Sequence, residues 1–326
     1  MVSSRTTSLL FGLGCIMSAE GFTTPAGSNR NTSALRRISL ATSATSDTDS
    51  ESNGARSGRI RGVVFDIDGT LADSWNLGFE ATKTVLAEYH NDREKVKLSP
   101  DTYPLSSDEY HYGCRYTTPE RLARHVGLEP GDDTFEETGK SLGDKFDRYY
   151  VQLVDTTTAG FYDGIGEMLV RLHAGELKGR ELGADEISTN GVKLGALTNA
   201  CVEYAHAVLK ANCPQHSSEI TSSLDAEESS IYPKFVSIHG ANSVPRPKPF
   251  GDGILKCCQE MGVTPDQVVY VGDAPTDAQA AVDAKCRAAI GVLWGSNSEE
   301  VLKNEKGFDT LCKTTEELSI AIAKYL

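Results

Sequence analysis

Two short apolar runs, Ile60–Asp66 (IRGVVFD) and Val268–Val271 (VVYV), each lead directly into carboxylates. Runs of this length and composition predict strands buried on both faces, the kind found in parallel sheets covered by helices. Val192–Leu197 (VKLGAL) reads the same way, and Phe235–Ile238 and Ala288–Val292 are weaker strand patterns. Helical patterns fall between them, over Gly164–Ala174, Val202–Leu209, Asp252–Met261 and Asp277–Lys285. Strands alternating with helices predict an α/β protein with a doubly wound parallel sheet.

One block breaks the alternation. Between the first two strong strands lie helical segments with no clear strand, and a structureless loop of that length is implausible in a compact domain. We read 75–158 as an inserted α-helical domain, with 59–74 and 159–326 forming the sheet-bearing core. Lys178–Asn190 and the Ser- and Glu-rich Asn212–Tyr232 read as surface insertions.

Residues 1–58 differ from the rest. Up to Ser46 they carry Arg5, Arg30, Arg36 and Arg37 against the single acid Glu20, in a background of Ser, Thr and Ala. That composition marks a targeting segment rather than a fold. Leu9–Ala19 is apolar but too short for a span of ~20 residues, and it fits the apolar region of a signal peptide. The following stretch from Phe22 looks like a transit peptide, so the whole resembles the bipartite plastid presequence of algae with secondary plastids. Plastid delivery is the expectation, with mitochondrion or cytoplasm as alternatives. Asp47–Gly58 reads as a polar, disordered linker. Elsewhere the sequence has no apolar stretch long enough to span a membrane, so the mature form is expected to work off the membrane.

The net charge of -14 argues against nucleic acid as a partner, since a phosphate backbone calls for a basic surface. It also demands local positive charge wherever an anion is to bind. The eight cysteines form no CxxC pair, and no histidine spacing completes a zinc site, so they read as buried, reduced side chains.

Four motifs fall at or near strand ends, where open parallel sheets bind ligands. Asp66-Ile67-Asp68-Gly69-Thr70 follows the first strand and offers two carboxylates separated by one residue. Such acids repel unless a cation pairs with them, and Mg²⁺ is the natural hard-oxygen partner. Leu197-Thr198-Asn199 places a hydroxyl at a second strand end. In Arg246-Pro247-Lys248-Pro249 the flanking prolines restrict the backbone and present an ammonium suited to a phosphoryl group. Gly272-Asp273-Ala274-Pro275-Thr276-Asp277 supplies two more acids, with Pro275 suited to the first turn of a helix. Each motif alone could be a cap or a turn; together, in one order around one sheet, they point to a site.

In this order the motifs resemble the haloacid dehalogenase-like hydrolase superfamily over about Arg61–Leu326, and the helical insert is similar to the cap of its phosphoglycolate phosphatase and beta-phosphoglucomutase branch. The resemblance implies a Rossmann-like core and a Mg²⁺-dependent phosphatase. Asp66 would be the nucleophile that forms an aspartyl-phosphate, and Asp68 the general acid and base. Thr198, Asn199 and Lys248 would hold the phosphoryl group. Asp66, Asp68, Asp273 and Asp277 would make the metal site. The expected substrate is a small phosphate ester, with 2-phosphoglycolate foremost. A sugar-phosphate phosphatase, a phosphomutase and a non-catalytic binding protein on the same scaffold are the alternatives. Within the insert, His111, Arg115, Tyr116 and Thr117 form a polar cluster, and Arg115 could hold a substrate carboxylate. The oligomeric state is left open.

Overall fold

The computed structural model describes residues 58–94, 97–177, 191–213 and 233–326. The targeting segment, but for Gly58, the insertion at 178–190 and the stretch 214–232 lie outside the described residues.

The strands in chain order are β1 (Gly62–Phe65), β2 (Ala72–Asp73), β3 (Gly160–Phe161), β4 (Lys193–Leu197), β5 (Phe235–His239), β6 (Val268–Gly272), β7 (Ala288–Val292) and β8 (Thr310–Cys312). The helices are α1 (Trp75–Glu94), α2 (Ser107–Gly113), α3 (Thr118–His125), α4 (Phe135–Gln152), α5 (Ile165–His173), α6 (Val202–Asn212), α7 (Asp252–Met261), α8 (Pro275–Asp283), α9 (Glu299–Asn304) and α10 (Thr315–Ala323). Six strands form one sheet in the order β5-β4-β1-β6-β7-β8, all parallel. The doubly wound α/β fold expected from the strand and helix pattern is present.

Alternation along β1 explains why helices cover both faces. Val63 and Phe65 share a core with Ile165 and Leu169 of α5, Tyr204 and Val208 of α6, and Leu318 and Ile322 of α10. Val64, on the opposite face, packs with Ile254 and Met261 of α7 and Ala280 of α8. With no face left for solvent, every residue of β1 and β6 is buried.

The chain leaves the core after the antiparallel pair β2–β3 begins and returns through it, Ala72 facing Phe161 and Asp73 facing Gly160. Between the two strands lie α1 to α4. Helices α3 and α4 approach closely because Gly139 and Gly143 face Pro119. A Cβ at Gly139 would collide with the Pro119 carbonyl oxygen.

The structure extends the sequence reading at two places. β8, with α9 and α10 around it, adds an edge strand beyond Ala288–Val292; three residues, TLC, are too few for a period-2 pattern to show. Asn212 is not part of a surface insertion but the last residue of α6. Its side chain accepts from the Phe161 N–H at 2.9 Å and donates to the Ala159 carbonyl at 2.9 Å, clasping the point where the insert rejoins the core.

Candidate active site

Strand order builds the site. Because β1 lies between β4 and β6, the residues that follow these three strands are neighbours in space: Asp66, Thr198 and Asp273. Lys248 reaches the same place from the loop between β5 and α7, and Asp277 from the first turn of α8, where Pro275 stands at the helix start.

Lys248 is the electrostatic centre. It is 5% exposed, and its Nζ donates to Asp66 Oδ1 at 2.6 Å and to Asp277 Oδ1 at 2.7 Å. Burial disfavours its charge, but Asp277 and then Asp66 outweigh that, and Lys248 ends above the ordinary lysine range. Asp277 is held in turn by the Tyr270 hydroxyl at 2.9 Å and by the Ala274 N–H at 2.9 Å. Asn199 fixes Lys248 from behind. Its Oδ1 accepts the Lys248 backbone N–H and its Nδ2 donates to the Lys248 carbonyl, both at 3.1 Å. In this structure Asn199 is therefore a clamp on the lysine loop.

Asp273 accepts the Ser296 N–H at 3.0 Å from the loop after β7. Two glycines press on its carboxylate. A Cβ at Gly69, whose φ is +76°, or at Gly295 would collide with Asp273 Oδ2. The turn of the Asp66-to-Thr70 segment thus needs glycine for both its left-handed backbone and its close approach.

Three carboxylates, Asp66, Asp273 and Asp277, present oxygens within 4.8 Å of one another, all buried. Burial pushes the Asp66 carboxyl well above the ordinary range; Lys248 pulls it back, while Asp277, Asp273 and Asp68 push it further up. Asp273 is pushed up to about 7, first by burial and then by Asp277, against the Ser296 N–H. Three carboxylates against one ammonium leave two uncompensated negative charges, which one divalent cation cancels. The donors are all hard oxygens, so the residues fit Mg²⁺.

Asp68 stands apart from that trio. The strand geometry that would place it beside Asp66 ends at Phe65, and the turn carries its side chain toward the insert. Its Oδ1 accepts three hydroxyls: Ser74 at 2.6 Å, Tyr204 at 2.7 Å and Tyr150 at 2.8 Å. Its Oδ2 accepts the Thr198 hydroxyl at 2.8 Å. Tyr150 comes from α4 of the insert and Tyr204 from α6 of the core, and their rings stack with centroids 3.9 Å apart. Burial, followed by the Asp68 charge, holds both phenols well above the ordinary tyrosine range, so they are donors.

Arg115 is not brought to this cluster. It is exposed, its Nε donates to the Tyr112 carbonyl at 2.8 Å, and its guanidinium lies 3.6 Å from the centre of the Tyr112 ring. Tyr116 lies under the Arg124 guanidinium. Tyr150, Tyr204, Ser74, Tyr270 and Ser296 join the site although no motif marks them; only the fold brings them to the acids.

Comparison with known proteins identifies the family. Residues 60–285 match the family model of the haloacid dehalogenase-like hydrolases. Phosphoglycolate phosphatase of Shigella dysenteriae is 29% identical over 260 residues, covering 74% of this chain and 85% of that protein. A hydrolase from Pseudomonas syringae has the same fold, with a TM-score of 0.54 and 20% identity over 81% of this chain and 98% of that one. CbbY from Rhodobacter sphaeroides, solved with phosphate, gives a TM-score of 0.55 and 19% identity over 81% of this chain and 99% of that one. The chain belongs to the haloacid dehalogenase-like hydrolase family.

Proposed function

We propose that this chain, a phosphatase of the haloacid dehalogenase-like family, hydrolyses a small phosphate monoester through an aspartyl-phosphate on Asp66, with 2-phosphoglycolate as the foremost substrate. The observation that carries the reading is Asp66 itself: a buried carboxylate at the end of the central strand, 2.6 Å from a lysine that can take up phosphoryl charge. The likeness to phosphoglycolate phosphatases supports the choice of substrate.

The residues allow the following division of work. An Asp66 carboxylate oxygen forms a bond to phosphorus as the bond from phosphorus to the leaving oxygen breaks. Asp68 gives that oxygen a proton, then takes one from the water that cleaves the acyl phosphate. Lys248 and Thr198 hold phosphoryl oxygens and the charge that spreads over them. To do so, Thr198 gives up its present bond to Asp68 Oδ2. Mg²⁺, held by Asp66, Asp273 and Asp277, would supply the missing positive charge. Asp68, whose carboxylate faces the other way, would contribute to the metal through its backbone carbonyl. The helical insert would close over the site as a cap, keeping bulk water from the acyl phosphate. Residues 1–58 would carry the chain to the plastid; a reporter fused to them and seen only in the cytoplasm would refute that address.

The test is a screen over metabolite phosphates and p-nitrophenyl phosphate, with and without MgCl₂, using Asp66→Asn as the blank. Mg²⁺-dependent release of phosphate that vanishes in Asp66→Asn is expected. Activity that survives the substitution, or none on any monoester, refutes the reading.

A further inference from the structure

Asp68 offers two oxygens, and the fold treats them differently. Oδ1 accepts three hydroxyls, from Ser74 at 2.6 Å, Tyr204 at 2.7 Å and Tyr150 at 2.8 Å. Oδ2 accepts one among the described residues, from Thr198 at 2.8 Å. A carboxylate oxygen carries two lone pairs, so three donors occupy Oδ1 fully while Oδ2 keeps room for another partner.

The hydroxyls on Oδ1 reach it from three elements. Ser74 stands just before α1, Tyr204 in the first turn of α6 and Tyr150 in the last turn of α4. All three residues are buried. The Tyr150 and Tyr204 rings stack with 14° between their planes, and Phe146 packs on Tyr150 with ring centres 4.8 Å apart. Packed rings hold both phenol oxygens at one point, with little freedom to follow a moving carboxylate.

Thr198 is held in another way. Its hydroxyl oxygen accepts the Ala200 N–H at 2.9 Å while its proton goes to Asp68 Oδ2. The backbone therefore fixes the oxygen. Rotation about the Cβ–Oγ1 bond alone redirects the proton, and that rotation uncovers Oδ2. One connection, from the end of β4 into α6, thus supplies both the movable partner of Oδ2 and a fixed partner of Oδ1.

We propose that Tyr204, with Ser74 and Tyr150, anchors Asp68 by Oδ1 and so dedicates Oδ2 to proton transfer, with Thr198 uncovering Oδ2 as it turns to the phosphoryl group. This rests on Asp68 being the acid and base of the phosphatase reading. The proton leaves Oδ2 for the leaving oxygen as the bond from phosphorus to that oxygen breaks and the bond to Asp66 forms. Oδ2 then takes a proton from the water that cleaves the acyl phosphate. Tyr204 touches Asp68 and not the reacting atoms, so it is a positioning residue. If the hydroxyls served only to satisfy a buried carboxylate, loss of one would fall on every substrate alike.

The experiment compares leaving groups, with the full chain in MgCl₂. kcat/KM covers the steps up to formation of the acyl phosphate. In those steps an alkoxide needs a proton in order to leave, whereas p-nitrophenolate does not. Tyr204→Phe keeps the ring and its stack and removes the hydroxyl. It is expected to lower kcat/KM about tenfold for the best alkyl monoester of the screen, and less than about twofold for p-nitrophenyl phosphate. Equal losses on the two esters, or no loss on the alkyl ester, overturn the proposal. Tyr150→Phe, on the insert, is expected to show the same split and decides the matter by the same criterion where Tyr204→Phe fails to fold. Asp68→Asn separates the proposal from the reading beneath it. A split in Asp68→Asn without one in Tyr204→Phe sinks the proposal alone. No split in Asp68→Asn removes the acid role of Asp68, and the proposal with it.

Discussion

Protons and Mg²⁺ compete for the same carboxylates, and the structure sizes the competition. Asp273 is pushed up to about 7 by burial and by Asp277, and Asp66 is raised in the same direction. An acid whose folded pKa is raised binds more protons folded than unfolded. Through Asp273 the metal-free protein therefore loses stability as pH rises from about 4, the unfolded value, to about 7, and Asp66 adds a loss of the same sign. Metal binding runs the other way, because the ligands must be ionised. At pH 5 a cation must displace a proton from Asp273 across about two pH units, which weakens its stabilising effect by roughly 2.7 kcal/mol relative to pH 8. At about 2–4 °C per kcal/mol for a chain of this size, the Mg²⁺-induced rise in Tm is larger at pH 8 by roughly 5–11 °C. Differential scanning fluorimetry with EDTA or with saturating MgCl₂ at the two pH values measures it. Asp273→Asn is the control, expected to raise the metal-free Tm at pH 8 and to abolish the Mg²⁺ response. Equal Mg²⁺ shifts at pH 5 and pH 8, or no shift at pH 8, would refute the assignment of the carboxylate cluster.

Three further substitutions probe the parts around it. Tyr150→Phe removes one of three hydroxyls on Asp68 Oδ1 and is expected to lower kcat about tenfold, the low end of a charged hydrogen bond at ~1.5 kcal/mol, with KM little changed in steady-state assays. Lys248→Met leaves Asp66 and Asp277 facing each other without a cation; urea melts at pH 8 without metal are expected to show a loss of about 3–5 kcal/mol, smaller at pH 5, because burial and its acidic neighbours raise the Asp66 carboxyl toward protonation. Gly295→Ala places a methyl against Asp273 Oδ2 and is expected to weaken Mg²⁺ binding at least tenfold, read by titrating the Tm shift, while the metal-free fold persists.

What the sequence discloses follows from the physics of each residue. Asp66, Thr198 and Asp273 announce themselves because a both-faces-buried strand must be an apolar run, and a polar residue at its end stands out. Lys248 shows through its two prolines. Tyr150 and Tyr204 have no such frame. Each is an ordinary aromatic on a helix, and the bonds to Asp68 exist only because α4 of the insert and α6 of the core meet beside it. Arg115 and Arg121 show the same limit from the other side. Arg115 lies in the turn between α2 and α3 and Arg121 in the first half of α3, and the sequence favours Arg115 for its polar neighbours. The fold instead leaves Arg115 on the surface against Tyr112 and buries Arg121 between Tyr110 and Phe146.

The net charge of -14 and the anionic substrate are reconciled at the site rather than over the whole surface. Lys248 is already shared between Asp66 and Asp277, so it cannot neutralise a phosphate without releasing some of that charge. A phosphate dianion entering the metal-free cluster would add two charges to whatever negative charge its acids still carry, up to two uncompensated when all three are ionised, at a few ångströms and away from water, where like charges repel strongly. The cluster is therefore expected to take up its divalent cation before the substrate or together with it. Asp68 escapes this constraint because its carboxylate points at neutral hydroxyls, Tyr150 from the insert and Ser74, Thr198 and Tyr204 from the core. The nucleophile is thus tuned by charge, through Lys248 and the metal acids, whereas the acid–base group is held in place by hydrogen bonds from Ser74, Thr198, Tyr150 and Tyr204.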